Sequence, residues 1–106
     1  MRAKETVDTL DKLIDEILET TGTERTILCM TIDSILDKFD EWLIESQDAK
    51  DNHPCRENVS IYIAEMKDPL YCLAGLNDHY DNMNQCVVWL CSGIKKMRRK
   101  NGLSLW

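Results

Sequence analysis

Hydrophobic residues recur at alternating steps of three and four along the segment from Leu73 to Met97. The positions are Leu73, Leu76, Tyr80, Met83, Val87, Leu90, Ile94 and Met97. This spacing places all of them on one face of an α-helix. Between Cys86 and Cys91 the sequence is apolar nearly all the way round, which indicates a helix enclosed by others or one with a second face for a partner. We expect the rest of the chain to be organised around this segment.

Helical spacing of hydrophobic residues is also found in three earlier segments. The predicted helices run over about residues 4–20, 24–47, 58–75 and 78–100. The inward residues of the first three are Val7, Leu10, Leu13, Ile14, Ile17 and Leu18, then Leu28, Ile32, Ile35, Leu36, Phe39, Trp42 and Leu43, then Val59, Tyr62, Ile63 and Met66. Short links between helices of similar length predict an all-α fold, an antiparallel four-helix bundle.

Glycine, proline and polar residues indicate where these helices end. Gly22 ends the first helix, the polar residues 48–57 form a loop, and Pro69 kinks or restarts the third helix. Weak helix formers between Gly75 and Asn84 predict a break near Leu76. Asn77 would then cap the last helix, unless one long helix runs from residue 69 to residue 100.

Size and composition agree with one helical domain spanning residues 1–106. A chain of 106 residues can bury a core without metal or disulfide support. Charged residues make up 30% of the chain and hydrophobic residues 43%, whereas glycine and proline are scarce. These proportions are typical of a soluble helical protein, and they argue against disorder or a fold with many turns.

The net charge of −6 is unevenly distributed along the chain. Residues 1–53 contain 14 acidic and 6 basic residues, a net charge of −8, whereas residues 54–106 contain 5 and 7, a net charge of +2. An acidic half repels nucleic-acid phosphates and favours a basic protein surface as partner.

The second predicted helix carries acidic residues opposite its hydrophobic stripe. The predicted partner-binding surface, called the acidic strip below, consists of Asp33, Asp37, Asp40, Glu41 and Ile44. Met30 lies beside the strip. Charge steers an encounter and apolar contacts hold the complex, so carboxylates mixed with apolar side chains suit a partner surface. The alternative is an ordinary solvated helix face.

A basic cluster closes the last predicted helix. It consists of Lys95, Lys96, Arg98, Arg99 and Lys100. Basic residues at a helix C-terminus complement the helix dipole, which explains the cluster structurally. The functional alternative is a helical nucleic-acid-binding module in which these five residues contact phosphates.

A second possible interface lies on the last helix and the C-terminal tail. Its residues are Val88, Trp89, Gly93 and Trp106. The apolar tail 103–106 either covers Val88 and Trp89 or leaves them exposed to a partner. The small residues Cys86 and Gly93 would allow another helix to approach closely, either within the domain or across a dimer, so we consider a homodimer possible.

The five cysteines show no paired spacing and predict free thiols in a reducing cytoplasm. No signal peptide or membrane span is evident in the sequence. His53 and Cys55 do not match a common zinc-ligand spacing, and no nucleophile motif or phosphate-binding loop is present. We therefore predict no catalytic residue, no metal site and no cofactor.

One acidic pattern resembles an enzyme family. Asp15, Glu16 and Glu19, followed by Asp37 and Asp40, resemble the paired acidic motifs of all-α nucleoside triphosphate pyrophosphatases. The resemblance covers the first two helices and implies Mg²⁺ bound between them. Helical phase places these carboxylates opposite the buried stripes, where they cannot converge on one metal ion.

The function that the sequence favours is therefore non-enzymatic. We predict a small acidic cytoplasmic protein that binds a basic protein partner and inhibits or regulates it. Bacterial immunity proteins and virus-encoded inhibitors of host defence are of this kind, an analogy of class rather than of motif.

Overall fold

Five α-helices make up most of the computed structural model, which describes residues 2–100 together with Gly102 and Leu103. The helices are α1 (Ala3–Glu16), α2 (Gly22–Glu45), α3 (Gln47–Asn52), α4 (Arg56–Leu73) and α5 (Met83–Arg98), and a 3₁₀ turn (Ile17–Glu19) extends α1. No strand occurs in these residues. The predicted all-α class is confirmed.

The four longer helices enclose one hydrophobic core. α1 packs on α2 and α5, and α4 packs on the same two helices. Fully buried side chains come from all four helices and include Leu10, Ile14, Ile32, Phe39, Leu70, Leu90 and Ile94. The radius of gyration, 13.5 Å, is close to the value of about 13 Å expected for a compact chain of this length. No helix within the described residues is both long enough and apolar enough to cross a membrane.

The polar stretch 48–57 is not the loop that its composition predicts. Residues 47–52 form α3, and α4 begins at Arg56, so only residues 53–55 separate the two helices. Side-chain hydrogen bonds one turn apart stabilise α3, from Gln47 Nε2 to Asp51 Oδ1 (2.8 Å) and from Asn52 Nδ2 to Asp48 Oδ1 (2.6 Å). Ala49 is fully buried, and α3 packs on α2.

Pro69 lies inside α4, which continues to Leu73. A restart of the helix at this proline is therefore wrong, whereas the kink stays a prediction. Pro69 is buried, so its ring adds to the apolar face of α4 although it contributes no backbone N–H group.

The predicted break after α4 is confirmed, but it is longer than expected. α4 ends in a Schellman motif, in which Gly75 has φ +81° and the N–H groups of Gly75 and Leu76 donate to the carbonyls of Cys72 and Tyr71. Residues 74–82 are not helical, so the proposed long helix from residue 69 to residue 100 is wrong.

The cap of α5 is Asn82 rather than Asn77. Asn82 Oδ1 accepts the N–H of Gln85 (2.9 Å), and Gln85 Oε1 accepts the N–H of Asp81 (3.0 Å), a reciprocal arrangement of the capping-box type. Asn77 instead donates to the carboxylate of Asp68, which also contacts His79 Nδ1 at 2.9 Å. These contacts tie the non-helical segment to α4.

The C-terminal end turns back onto the bundle as far as it is described. α5 ends at Arg98, two residues earlier than predicted. Leu103 is buried in the core, and its N–H donates to the carbonyl of Met97 (2.6 Å). Trp106, a predicted interface residue, lies outside the described residues.

Candidate functional site

The acidic strip follows one side of α2. Glu41 and Asp37 are exposed, and the side chain of Ile44 is 56% exposed. Asp33 and Asp40 are only half-buried. Oδ1 of Asp40 is buried and lacks a hydrogen-bond partner among the described residues. The five predicted residues thus share an element, but they differ in how far solvent or a partner can reach them.

Lys67 of α4 lies between two carboxylates of the strip. Its Nζ donates to Asp33 and to Asp37, and the hydroxyl of Tyr71 donates to Asp33 Oδ1 at 3.0 Å. Burial by itself would lower the pKa of Lys67, but the hydrogen bonds to Asp33 and Asp37 outweigh it and raise that pKa above its ordinary value. Lys67 therefore remains charged and neutralises one of the two carboxylates.

This ion-pair cluster changes the interpretation of the strip. The sequence predicts that all its carboxylates are available to a partner, whereas Asp33 and Asp37 also hold α2 against α4. Lys67 is 34 positions from Asp33 and 30 from Asp37 in the sequence, so helical periodicity within α2 could not reveal the pairing. Glu41 is exposed, and unlike Asp33 and Asp37 it is not part of the pairing with Lys67.

A small apolar groove adjoins the N-terminal part of the strip. It is lined by Cys29, Met30, Asp33, Tyr71, Ala74 and Leu76. Met30 is 65% exposed and Leu76 is 74% exposed, the two most open positions of the groove. The sequence analysis placed Met30 beside the strip but did not recognise Leu76 as a surface residue, because Leu76 belongs to the hydrophobic repeat from Leu73 to Met97 and marks the predicted break.

Gly75 is the sequence feature that could have predicted the position of Leu76. In a Schellman motif the residue after the glycine turns back and contacts the residue whose carbonyl its N–H reaches. Here Leu76 donates to the carbonyl of Tyr71, and both residues line the groove. The motif therefore places Leu76 next to α2 rather than at the start of α5.

The basic cluster at the end of α5 is divided among several contacts. Arg98 donates to Asp11 Oδ2 (2.9 Å) and Asp8 Oδ1 (2.8 Å) of α1. Burial alone would lower the pKa of Arg98, but these hydrogen bonds outweigh it and raise that pKa. Lys96 contacts Glu65 at 3.5 Å and lies 5.7 Å from the ring centroid of Tyr62.

The other three basic residues, Lys95, Arg99 and Lys100, are exposed, and Lys100 also interacts with other groups of the protein. Arg98 and Lys96, in contrast, help to pack α5 against α1 and α4. The five cations do not form one uninterrupted phosphate-binding surface.

Residues of the second predicted interface fall on opposite sides of α5. Val88 is 66% exposed and Trp89 is 52% exposed, so the described part of the chain leaves both open. Gly93 is buried, and a Cβ atom there would overlap the side chain of Met66 in α4. Cys86 is buried as well. Of the two alternatives for the small residues Cys86 and Gly93, close approach of a helix within the domain is confirmed at Gly93, which packs against Met66 of α4.

All five cysteines are free thiols, and two of them, Cys29 and Cys86, are buried. Burial, followed by a hydrogen bond with Cys72, raises the pKa of Cys86 to about 12. Burial also raises the pKa values of Cys29 and Cys91. Thiols with raised pKa values are poor nucleophiles at neutral pH, so these three are suited to packing.

The carboxylates of the pyrophosphatase-like pattern do not gather around one point. Asp15, Glu16 and Glu19 are exposed on α1 and its 3₁₀ extension, whereas Asp37 contacts Lys67. Within the described residues, no three His, Cys, Asp or Glu side chains are grouped so that they could hold a metal ion. His53 packs its ring on Trp42, with 5.7 Å between centroids.

Comparison with known proteins assigns no family to this chain. The chain matches no protein-family model, and searches of curated proteins and of solved structures give no significant match. The surfaces must be interpreted from their own geometry.

Proposed function

We propose that this protein is a non-enzymatic binding protein that docks a basic protein partner on the outer side of α2. The observation that carries the proposal is the combination of exposed acidic and exposed apolar side chains along that side. Met30 and Leu76 form its apolar part, Ile44 forms a second apolar spot, and Glu41 supplies an exposed carboxylate between them.

Acidic and apolar side chains would affect different steps of binding in such a complex. Carboxylates raise the rate at which a positively charged surface arrives, because the attraction acts over a Debye length of about 8–10 Å. Exposed Met and Leu side chains then lose contact with water on binding, which slows dissociation. Methionine adapts its shape to a partner because it is unbranched and flexible.

The proposed scaffold for this surface is an antiparallel four-helix bundle with α4 kinked at Pro69. Support comes from the order of contacts between neighbouring helices. Glu65, in the middle of α4, meets Lys96, late in α5, whereas Cys72, at the end of α4, interacts with Cys86, near the start of α5. Lys67 fixes α2 on α4, so the strip is held rigidly.

Inhibition or regulation of the partner is the proposed consequence of binding. A small acidic protein can cover a basic functional surface, as bacterial immunity proteins and virus-encoded defence inhibitors do for their targets. The free thiols support a cytoplasmic location, since disulfides would form in an oxidising compartment.

The test begins with affinity capture by the tagged chain from cells of its native host, followed by mass spectrometry. Association and dissociation rates of the purified partner and chain are then measured by surface plasmon resonance. Glu41→Lys should lower the association rate, and Leu76→Glu should raise the dissociation rate. Their matched controls are Glu16→Lys, an exposed carboxylate of α1, and Ile61→Glu, an exposed apolar residue of α4.

The controls should bind like the unmodified chain, because they lie on other helices. Equal binding by Glu41→Lys, by Leu76→Glu and by the unmodified chain would refute the α2 surface. An acidic captured partner, or catalytic turnover of a nucleotide by the purified chain, would refute the proposed function as a whole.

A further inference from the structure

The outer face of α5 carries two rows of residues at heptad spacing. Asp81, Val88 and Lys95 are each seven residues apart, and Gln85, Ser92 and Arg99 form the second row between them. Gln85, Val88, Ser92 and Lys95 lie along one side of α5, whereas Asp81 lies just before the helix begins and Arg99 directly follows its last residue. Together the two rows form what is called the α5 stripe below.

The stripe faces away from the bundle. Val88 at its centre is 66% exposed, and Asp81, Lys95 and Arg99 at its ends are exposed too. Trp89 flanks the centre and is 52% exposed. Nothing among the described residues covers this apolar centre, whereas the opposite side of α5 is closed by Met66 against Gly93.

Charge changes sign from one end of the stripe to the other. Asp81 lies just before the first turn of α5, and the hydrogen bond from its N–H to Gln85 Oε1 (3.0 Å) fixes its position relative to the helix. Lys95 and Arg99 lie in or directly after the last turn. Acidic residues near the N-terminus and basic residues near the C-terminus also favour the helix dipole.

We propose that a second copy of this chain docks on the α5 stripe through a two-fold axis near Val88. The two α5 helices would then run antiparallel, as a two-fold axis perpendicular to them requires. Asp81 lies just before the first turn of α5, and Lys95 lies in its last turn. The acidic end of each stripe therefore faces the basic end of the other, and each Val88 faces the partner's Val88.

Charge complementarity favours a second copy over other occupants. The stripe is acidic at one end and basic at the other, so a nucleic acid or an anionic lipid surface would meet Asp81 as a repulsive group. A basic protein would meet Lys95 and Arg99 in the same way. Only a surface with the reverse order of charges matches both ends, and an antiparallel copy of the stripe has that order.

The expected complex is weak. One helix face per copy is at the small end of specific interfaces, where total buried area is below about 1,200 Å² and association is transient. Val88 and Trp89 supply the apolar contact. The ion pairs mainly set the register, because exposed pairs contribute about 0.2–1 kcal/mol each. The α2 surface is on a different helix, so this association does not depend on the proposed function.

Sedimentation velocity over a range of concentrations tests the apolar centre. The unmodified chain should show a concentration-dependent shift from monomer toward dimer. Val88→Lys should weaken dimerisation at least about tenfold, because it places two like charges at the axis. The matched control Ile61→Lys, on an exposed apolar residue of α4, should leave the equilibrium unchanged.

Charge exchange tests the antiparallel register. Asp81→Lys and Lys95→Asp should each weaken the dimer about tenfold, since each breaks two symmetric ion pairs and creates two repulsions. The double variant should recover to within about threefold of the unmodified chain, because the pairs re-form with reversed sign. Circular dichroism of every variant checks that the helices are retained.

A chain that stays monomeric at its highest soluble concentration would overturn the proposal. So would a folded Val88→Lys variant that dimerises normally, or a double charge exchange no better than either single change.

Discussion

Gly93 shows at the scale of one residue how much a sequence position leaves open. Glycine in a helix interior disfavours the helix by about 1 kcal/mol relative to alanine, which suggests a special role. The role turns out to be internal, because α4 places the side chain of Met66 where a Cβ atom would be. A glycine of this kind indicates close packing but not which neighbour packs there.

Replacing Gly93 by valine should therefore destabilise the fold. The larger side chain overlaps Met66 in the closed core, and overpacking of this type lowers the free energy of unfolding by about 1–3 kcal/mol. Urea unfolding followed by circular dichroism measures the change. Ser92→Val, at the half-buried neighbouring position of the same helix, is the control and should change stability by less than about 0.5–1 kcal/mol. Equal effects of the two substitutions would contradict the contact with Met66.

At the scale of elements, α2 and α4 are joined by the pairing of Lys67 with Asp33 and Asp37. Asp33 and Asp37 are one turn apart on α2, where like charges disfavour the helix. Lys67 removes this repulsion, and its side chain is only 18% exposed. The acidic strip and the packing of the bundle therefore share residues.

Removing the charge of Lys67 should weaken this pair of helices. Lys67→Met keeps the length of the side chain but leaves two carboxylates facing each other without a cation. We expect the free energy of unfolding to fall by about 1–2 kcal/mol, a value that allows for the solvent around Asp37. Lys38→Met, on an exposed lysine of α2, should have little effect. The same unfolding midpoint for both variants would show that Lys67 contributes no more than a surface lysine.

The connection between α4 and α5 shows where local preference prevails over periodicity. Leu76, Tyr80 and Met83 continue the hydrophobic rhythm of the last helix, yet residues 74–82 are not helical. Gly75, Asn77 and Asn82 end α4, bind Asp68 and cap α5, respectively. Weak helix formers at these positions predicted a break correctly, but its length depended on hydrogen bonds to Asp68 in the preceding helix.

For the whole molecule, several titrations together predict loss of stability in alkali. Burial raises the pKa of Cys86 to about 12, and burial with hydrogen bonds to carboxylates raises the pKa values of Tyr71 and Tyr80. The unfolded chain releases these protons at ordinary pKa values, 9.0 for a thiol, whereas the folded chain retains them. The unfolded state then binds fewer protons, so stability decreases as pH rises.

The free energy of unfolding should consequently begin to fall near pH 9 and continue to fall toward pH 12. Lys67 adds to the loss, since its stabilising charge disappears as pH rises through its raised pKa. Urea unfolding at a series of pH values measures the slope, and Cys86→Ala should make it shallower. Cys55→Ala, outside the core, is the control. A slope that is identical with and without Cys86 would contradict the assignment to this thiol.

The sequence by itself determined the helical class and most of the core. Val7, Ile32, Phe39 and Leu90 were predicted from helical spacing and are fully buried, because this periodicity depends only on residues within one or two turns. The acidic residues of α2 and the basic end of α5 were also recognised in the same way. Local pattern is sufficient for these features because each helix must bury its apolar side against some neighbour.

Only the tertiary structure decided which residues are available to a partner. Asp33 is paired with Lys67 and Arg98 with Asp8 and Asp11, while Leu76 is turned outward beside Met30. Each of these contacts joins residues that are distant in sequence, and nothing in the spacing within one helix specifies which part of the chain packs beside it. The surface is what remains after those contacts form, and for that reason it could not be derived from the sequence pattern alone.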